Sequence, residues 1–548
     1  MDRVAAGVRA TYDSGRTRSV AWRLRQLQAM RRMIQDNRDE WIAAVMASTL
    51  RPHAEAVLGD VMVTQQEIDF MIANVATWAA PHEVSTPLPL IPASSRIEPQ
   101  PFGVTLIIGP SNYPMMLVLC PLAGALAAGN AAVLKPSELC PEVSDLMASL
   151  VKAYLDDAVQ VVLGDEVVVR DLLDQRWDHI MFTGSERVGK VVAAAAARHL
   201  TPTTLELGGK CPVVVDHTAE PLASIAYKLA WGRLFNGGQS CVAPEYVLVP
   251  RESTGALVEQ LAWIIQRVHG DDPQRSAHFG RVSSCAAAKR IGSLLVGHGG
   301  TVAFGGTVDV AQRYVAPTVI VDPREDAAVM CEESFGPVLC IISVDSLDDA
   351  IAYVRRRPGT PLTLYGFTSD PAVERRLLDE IPSGNAMFNG ACMRARAQRL
   401  VNALPSLHAP SPVRQPPILP TGLRERMRRC DRALCESALA IWWPWLVRPR
   451  DAPRQEVLRR MRAAAQYHDK VHLARLSVAR RAGCPTHAAV LTALHQFARV
   501  GPHPLPRRAA RPLRLQGGAR APCARHSWCA ACHRRAPRLA ARRGQRLA

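Results

Sequence analysis

The sequence predicts an α/β protein in which helices cover parallel sheets. Three observations carry that expectation. From Phe102 onward a pattern of strand, turn and helix repeats. The strands are short runs, GVTLII, AAVLK, VQVVL (159–163) and HIMFTG (179–184), too apolar to have one face in water, as in sheets buried on both sides. The turns that follow are built from breakers, as in Gly109-Pro-Ser-Asn-Tyr-Pro114, Pro136-Ser-Glu138 and Gly184-Ser-Glu-Arg-Val-Gly189. Such sheets bind ligands beyond the carboxyl ends of their strands, so these turns are where function is sought. CPVVVD (211–216) begins another strand and, with it, a new domain.

At 548 residues the chain suffices for two or three domains, and an apolar fraction of 48% is that of a globular protein. Ahead of the first strand, residues 18–50 read as one long amphipathic helix, with Leu24, Leu27, Met30 and Ile34 at spacings of three and four. A second helix is expected over 54–78, where Val57, Val61, Ile68, Ile72 and Val75 share a face. Both read as packing helices. Residues 81–101 are rich in proline and serine and read as an extended crossing segment. No run of 18 apolar residues is present, which argues against a transmembrane helix. The N-terminus lacks the apolar core of a signal peptide. A cytoplasmic setting is therefore the default, and there the 14 cysteines are reduced thiols.

The net charge of +17 joins two unlike parts. Residues 406–548 hold 29 of the 66 Lys and Arg but 6 of the 49 Asp and Glu, a balance of +23. Residues 1–405 are mildly acidic, at −6. A basic tail can point to nucleic acid or an anionic membrane. Its composition favours a duller origin, given below.

Four stretches carry candidate chemistry. Phe235-Asn-Gly-Gly-Gln-Ser-Cys-Val-Ala-Pro244 places Cys241 behind two glycines and ahead of a proline. The glycines let backbone approach a ligand, and the proline removes a backbone donor. A thiol there can attack a small electrophile, although most cysteines are simply small buried hydrophobes. The turn from Gly184 to Gly189 opens a helix, where N–H groups can meet a phosphate. Its spacing is not the usual dinucleotide fingerprint, and two glycines often mark nothing more than a turn. In Thr204-Leu-Glu-Leu-Gly-Gly-Lys210 an acid flanked by leucines sits in an apolar setting that suits a general base. The plainer reading pairs Glu206 with Lys210. Glu332-Glu-Ser-Phe-Gly-Pro337 combines a carboxylate, an aromatic ring and a tight turn, which can hold a ribose or simply be a surface turn.

Taken together, PFGVTLIIGPSNYP, AAGNAAVLKPSEL, DHIMFTGSERVGK, HLTPTTLELGGKCPVVVD, FNGGQSCVAPEYVLVP and EESFGPVLCI resemble the aldehyde dehydrogenase superfamily, in its order and spacing. The nearest branch is the class 3 and fatty-aldehyde type, and the likeness covers roughly residues 5–405. The resemblance implies a Rossmann-type cofactor domain over 1–206, with 81–101 an extended part of a small oligomerisation arm. It implies an α/β catalytic domain over 207–382 and a return to the arm over 383–405. By resemblance Cys241 is the nucleophile, Glu206 the general base, and Asn112 the side-chain half of an oxyanion hole completed by the Cys241 backbone N–H. Lys135 and Glu138 fall where the family holds the adenosine ribose of NAD or NADP. Gly184, Ser185 and Gly189 fall on the cofactor turn, and Glu333 and Phe335 beside the nicotinamide ribose. The implied substrate is an aromatic or medium- to long-chain aliphatic aldehyde, and the implied assembly a homodimer, with no nucleic acid partner and no metal.

Two departures stand out. Ser111 occupies the position before the oxyanion asparagine where the family usually has tryptophan, which implies less packing near the substrate tunnel. After Ser383-Gly-Asn-Ala-Met-Phe-Asn389 the family's L-P-F-G-G and closing strand are absent. Residues 406–548 have no family counterpart. With 28 Arg, a single Lys and no acidic residue after Asp469, they carry the bias expected of GC-rich coding sequence read out of frame. A genuine basic extension is the rival reading. On either, the unpaired charge disfavours a compact domain. Cys529-Ala-Ala-Cys532-His533 has the spacing of a haem attachment site, and Cys523 with His526 could suggest zinc, but no recognisable fold surrounds either. An inactive truncated family member, or a binding protein acting through the tail, are the alternatives to an active enzyme.

Overall fold

The fold is described from a computed structural model, over residues 2–391. The basic tail, its cysteine and histidine motifs and residues 392–405 lie outside the described residues.

The apolar runs form two sheets. The first has five parallel strands in the spatial order Val159–Val161, Ala131–Lys135, Val104–Ile108, His179–Gly184, Thr203–Leu207. Every residue of Val104–Ile108 and Ala131–Lys135 is buried, which is why neither run shows polar alternation. The strand order reverses between Val104–Ile108 and His179–Gly184, the switch point at whose carboxyl ends such sheets bind ligands. The second sheet has seven strands in the order Thr301–Phe304, Thr318–Val321, Val338–Val344, Pro244–Pro250, Cys211–Val215, Leu364–Phe367, Ala386–Phe388. All run parallel except Thr301–Phe304, which pairs antiparallel at one edge. The other edge strand, Ala386–Phe388, carries the second sheet past residue 382.

The predicted 18–50 helix is two helices, Val20–Asp36 and Arg38–Thr49. Asn37 leaves the helical region at φ −117°, and its side-chain amide donates to the Met33 carbonyl at 2.9 Å. That bond satisfies an orphan carbonyl of the first helix, a competition with helix continuation that asparagine wins readily. The predicted 54–78 helix spans His53–Trp78, with a widened π turn over Val57–Met62. Leu27, Met30, Met33, Ile34, Ile68 and Met71 are buried among these helices, as the spacing required. Residues 81–101 include a short antiparallel pair, His82–Val84 with Ser95–Ile97. Leu88 and Ile91 stand exposed at its turn.

Candidate active site

The carboxyl ends of the first sheet face the amino ends of the second. Thr203–Leu207 ends the first sheet, Gly208-Gly209-Lys210 links across, and Cys211–Val215 starts the second. Cys211 is in register with Pro244, so the loop carrying Cys241 enters the sheet beside it. Val338–Val344 begins directly after Glu332–Pro337, which brings that turn to the same end.

The cysteine loop is shaped by three consecutive left-handed residues, Asn236 (φ 56°), Gly237 (φ 59°) and Gly238 (φ 77°). Asparagine tolerates that region better than other side chains. At Gly238 only glycine fits, since a Cβ would lie 2.2 Å from the Gly336 carbonyl oxygen. Side chains then tie the loop to the turn after the first strand. The Asn112 amide donates to the Gln239 carbonyl at 3.0 Å. The Asn236 amide donates to the Asn112 carbonyl at 2.8 Å and to the Gln239 carbonyl at 3.2 Å. The Gln239 amide donates to the Asn236 and Arg281 carbonyls, both at 3.0 Å. Asn112 is buried and Cys241 half-buried. One Asn112 N–H is spent on Gln239, which leaves the second N–H of that amide for another acceptor.

Glu206 is half-buried near the end of its strand, in register with Thr183. Its expected partner is engaged elsewhere: the Lys210 ammonium bonds Glu245 at 2.6 Å and the carbonyls of Val329 and Glu332 at 2.8 and 2.9 Å. Glu333 packs against the glycines after Glu206. A Cβ on Gly208 would lie 2.0 Å from Glu333 Oε2, and the Gly209 N–H donates to that carboxylate. Burial, with a smaller push from Glu245, raises the Glu333 carboxyl to about 8. Phe335, beside it, holds a left-handed backbone at φ 46°.

Lys135 ends its strand almost fully buried. Its ammonium donates to the Pro136 carbonyl at 2.6 Å and to Glu138 at 3.2 Å, which leaves one of its three donors over. The Glu138 carboxylate is about half exposed, at 48%. Ser185 caps the helix Glu186–Ala197, accepting from the Val188 N–H. Gly189 serves packing, since a Cβ there would lie 2.8 Å from Leu207. The large exposed side chains Leu139, Leu163 and Val167 follow the carboxyl ends of the neighbouring strands. A spare lysine donor, a half-exposed carboxylate, a helix N-terminus and an apolar surface fit a nucleotide with ribose, phosphate and flat base.

Ser111 lines a cleft of about 10 Å³ together with Ser48, Asn112, Cys140, Asn236, Gln239 and Ser283. Near it, Tyr113 and Phe235 converge on Gly59, where a Cβ would lie 3.0 and 3.2 Å from their rings.

Several structural partners carried no sequence signal. Arg233, 1% exposed, donates to Glu245 at 2.7 Å, to the Pro244 and Gly238 carbonyls at 2.8 and 3.0 Å, and to Ser334 at 3.0 Å. It also donates to the Gly336 carbonyl. Burial alone would raise the Glu245 carboxyl, but Lys210 and Arg233 outweigh it and hold it at about 2. Asp60 pairs with buried Arg51 and accepts from the N–H groups of Met115 and Met116 at 3.1 and 2.8 Å. Nothing in the local pattern distinguishes these charges from solvated ones.

A nucleotide-type sheet facing a second sheet across a cysteine loop is the layout of an α/β oxidoreductase whose cofactor surface and thiol come from separate sheets. Residues 1–400 match the model of the aldehyde dehydrogenase family. The chain belongs to that family and is an NAD(P)-dependent aldehyde dehydrogenase. It is 43% identical to human aldehyde dehydrogenase family 3 member B1 over 387 residues, 70% of this chain and 82% of that protein. It is 39% identical to rat family 3 member A2 over 406 residues, 74% of this chain and 82% of that protein. Among solved structures, substrate-bound AldH of Staphylococcus aureus superposes with a TM-score of 0.71 at 30% identity, covering 79% of this chain and 99% of that one.

Proposed function

We propose that the chain oxidises an apolar aldehyde, aromatic or medium- to long-chain aliphatic, to its carboxylic acid through Cys241. The observation that carries this reading is the hydrogen-bonded joint between Asn112 and the cysteine loop, which ties a buried amide donor to Gln239, two residues ahead of the Cys241 thiol. The Cys241 thiolate adds to the carbonyl carbon. The free Asn112 N–H and the Cys241 backbone N–H meet the resulting oxyanion. Bound NAD or NADP supplies the hydride acceptor that makes the adduct a thioester. Glu206 then takes a proton from the water that releases the acid. The rings of Tyr113, Phe235 and Trp231, the last two 5.2 Å apart, support an apolar substrate. The exposed Leu88 and Ile91 support a homodimer through the 81–101 arm. The seven described cysteines form no disulfide, which supports a reducing, cytosolic setting. No described helix is long and apolar enough to cross a membrane.

Glu206→Gln is expected to slow thioester hydrolysis more than acylation, so rapid mixing should show a burst of NADH followed by slow turnover. Asn112→Ala should slow adduct formation by roughly a hundredfold or more, the scale of a lost oxyanion donor. Unchanged turnover in either variant removes that residue from the mechanism.

Cofactor preference follows from Glu138. A carboxylate 3.2 Å from Lys135 suits a ribose 2′-hydroxyl and repels a 2′-phosphate, while the lysine softens the repulsion. kcat/KM should therefore favour NAD over NADP, and Glu138→Gln should narrow the gap. A native preference for NADP would place Glu138 away from that ribose.

A further inference from the structure

Two acids on the helical stretch His53–Trp78 grip the two loops of the proposed active site. Asp60 accepts from Met115 and Met116, three and four residues beyond Asn112. Glu55, one turn earlier, accepts the Asn236 N–H at 2.9 Å, across 181 residues of chain. The π turn Val57–Met62 lies over this interval and widens the helix between the two acids. Such turns often mark functional positions. Asn236 is the residue whose left-handed backbone begins the cysteine loop, and its side chain holds both Asn112 and Gln239. A strained conformation of this kind persists only where its surroundings impose it.

We propose that Glu55 is a positioning residue for the reaction: by accepting the Asn236 N–H it fixes the left-handed start of the cysteine loop, and through Asn236 the placement of Asn112 against Cys241. The inference rests on the reading of Cys241 and Asn112 as the reacting thiol and oxyanion donor. Glu55 itself touches no substrate.

The environment of Glu55 adds a pH signature. Burial pushes its carboxyl up to about 7, more than the Asn236 N–H and Arg51 pull it down. Arg51 is also paired with Asp60, and His53, His278 and Arg281 line, with Arg51 and Ala54, a cavity of about 660 Å³. Burial favours the protonated acid, whereas the Asn236 N–H, which pulls the pKa down, favours the carboxylate. The hydrogen bond that holds the loop therefore strengthens as Glu55 ionises, with pH rising through about 7.

The test compares Glu55→Gln and Glu55→Ala in the full-length chain by hydrogen exchange of the peptide carrying Asn236 to Cys241, with steady-state kinetics alongside. Glutamine keeps an acceptor, whereas alanine removes it. In Glu55→Ala the protection of the Asn236 amide should fall about tenfold or more, the scale of a lost hydrogen bond. The variant's kcat should fall by a similar factor while KM for NAD stays within about twofold. Glu55→Gln should restore both. Between pH 6 and 8.5 the wild-type protection, corrected for intrinsic exchange, should rise as Glu55 ionises, while that of Glu55→Gln stays flat. Should Glu55→Ala fail to fold, Glu55→Asp, whose shorter side chain draws the acceptor back from Asn236, takes its place in both measurements. Asn236 protection unchanged in the substituted protein, or kcat unchanged in a protein whose loop exchanges faster, overturns the proposal. Persistent aldehyde oxidation in Cys241→Ala would instead remove the thiol reading and leave the exchange result standing.

Discussion

Cys241→Ala is expected to abolish NADH formation from aldehyde, whereas Cys211→Ser should keep most of it. The two thiols are neighbours, since Cys211 Sγ donates to the Cys241 carbonyl at 3.3 Å. Their environments separate them. Cys211 starts a central strand at 0% exposure, and burial pushes its thiol far above the ordinary range, so almost none is thiolate at neutral pH. Cys241 is half-buried on a loop shaped by two glycines, with Asn112 held against that loop. Serine at 211 preserves the donor to the Cys241 carbonyl, so a modest loss there reports packing. Without Cys241 there is no covalent adduct, and the acylation route is closed. Initial rates with a saturating aldehyde separate the outcomes, and oxidation surviving in Cys241→Ala would sink the assignment.

The second large effect is on stability. Arg233→Ala should lower the unfolding free energy by about 3–5 kcal/mol, the cost of breaking a buried ion pair from one side. Arg233 joins Gly238 and Pro244 of the cysteine loop to Ser334 and Gly336 of the turn that carries Glu333 and Phe335. Its removal leaves those carbonyls short of donors, and among the described residues only Lys210 remains to neutralise Glu245. A shift of the urea midpoint to lower concentration at unchanged slope reads the loss. A midpoint within experimental error of the wild type would show that water replaces the guanidinium at little cost. Because the same side chain ties both loops, the variant should also bind cofactor more weakly at temperatures where it remains folded.

The sequence by itself determined the strands, the order of the turns and the resemblance that led to the family. Strands buried on both faces leave uninterrupted apolar runs, so Val104–Ile108, Ala131–Lys135 and His179–Gly184 are legible without any partner. The glycines at 237 and 238 are legible for a similar reason, since left-handed backbone and close approach exclude other residues. Helix ends were less legible: the break at Asn37 depends on one side chain turning back to Met33, which helical periodicity does not encode. Only the tertiary structure decided which charges pair. Lys210 bonds Glu245, 35 residues away, although Glu206 lies four residues away in sequence. Glu55 meets Asn236 across 181 residues. A charge buried beside a distant partner looks, in sequence, like a charge facing water. The difference lies in the partner, which long-range packing alone supplies.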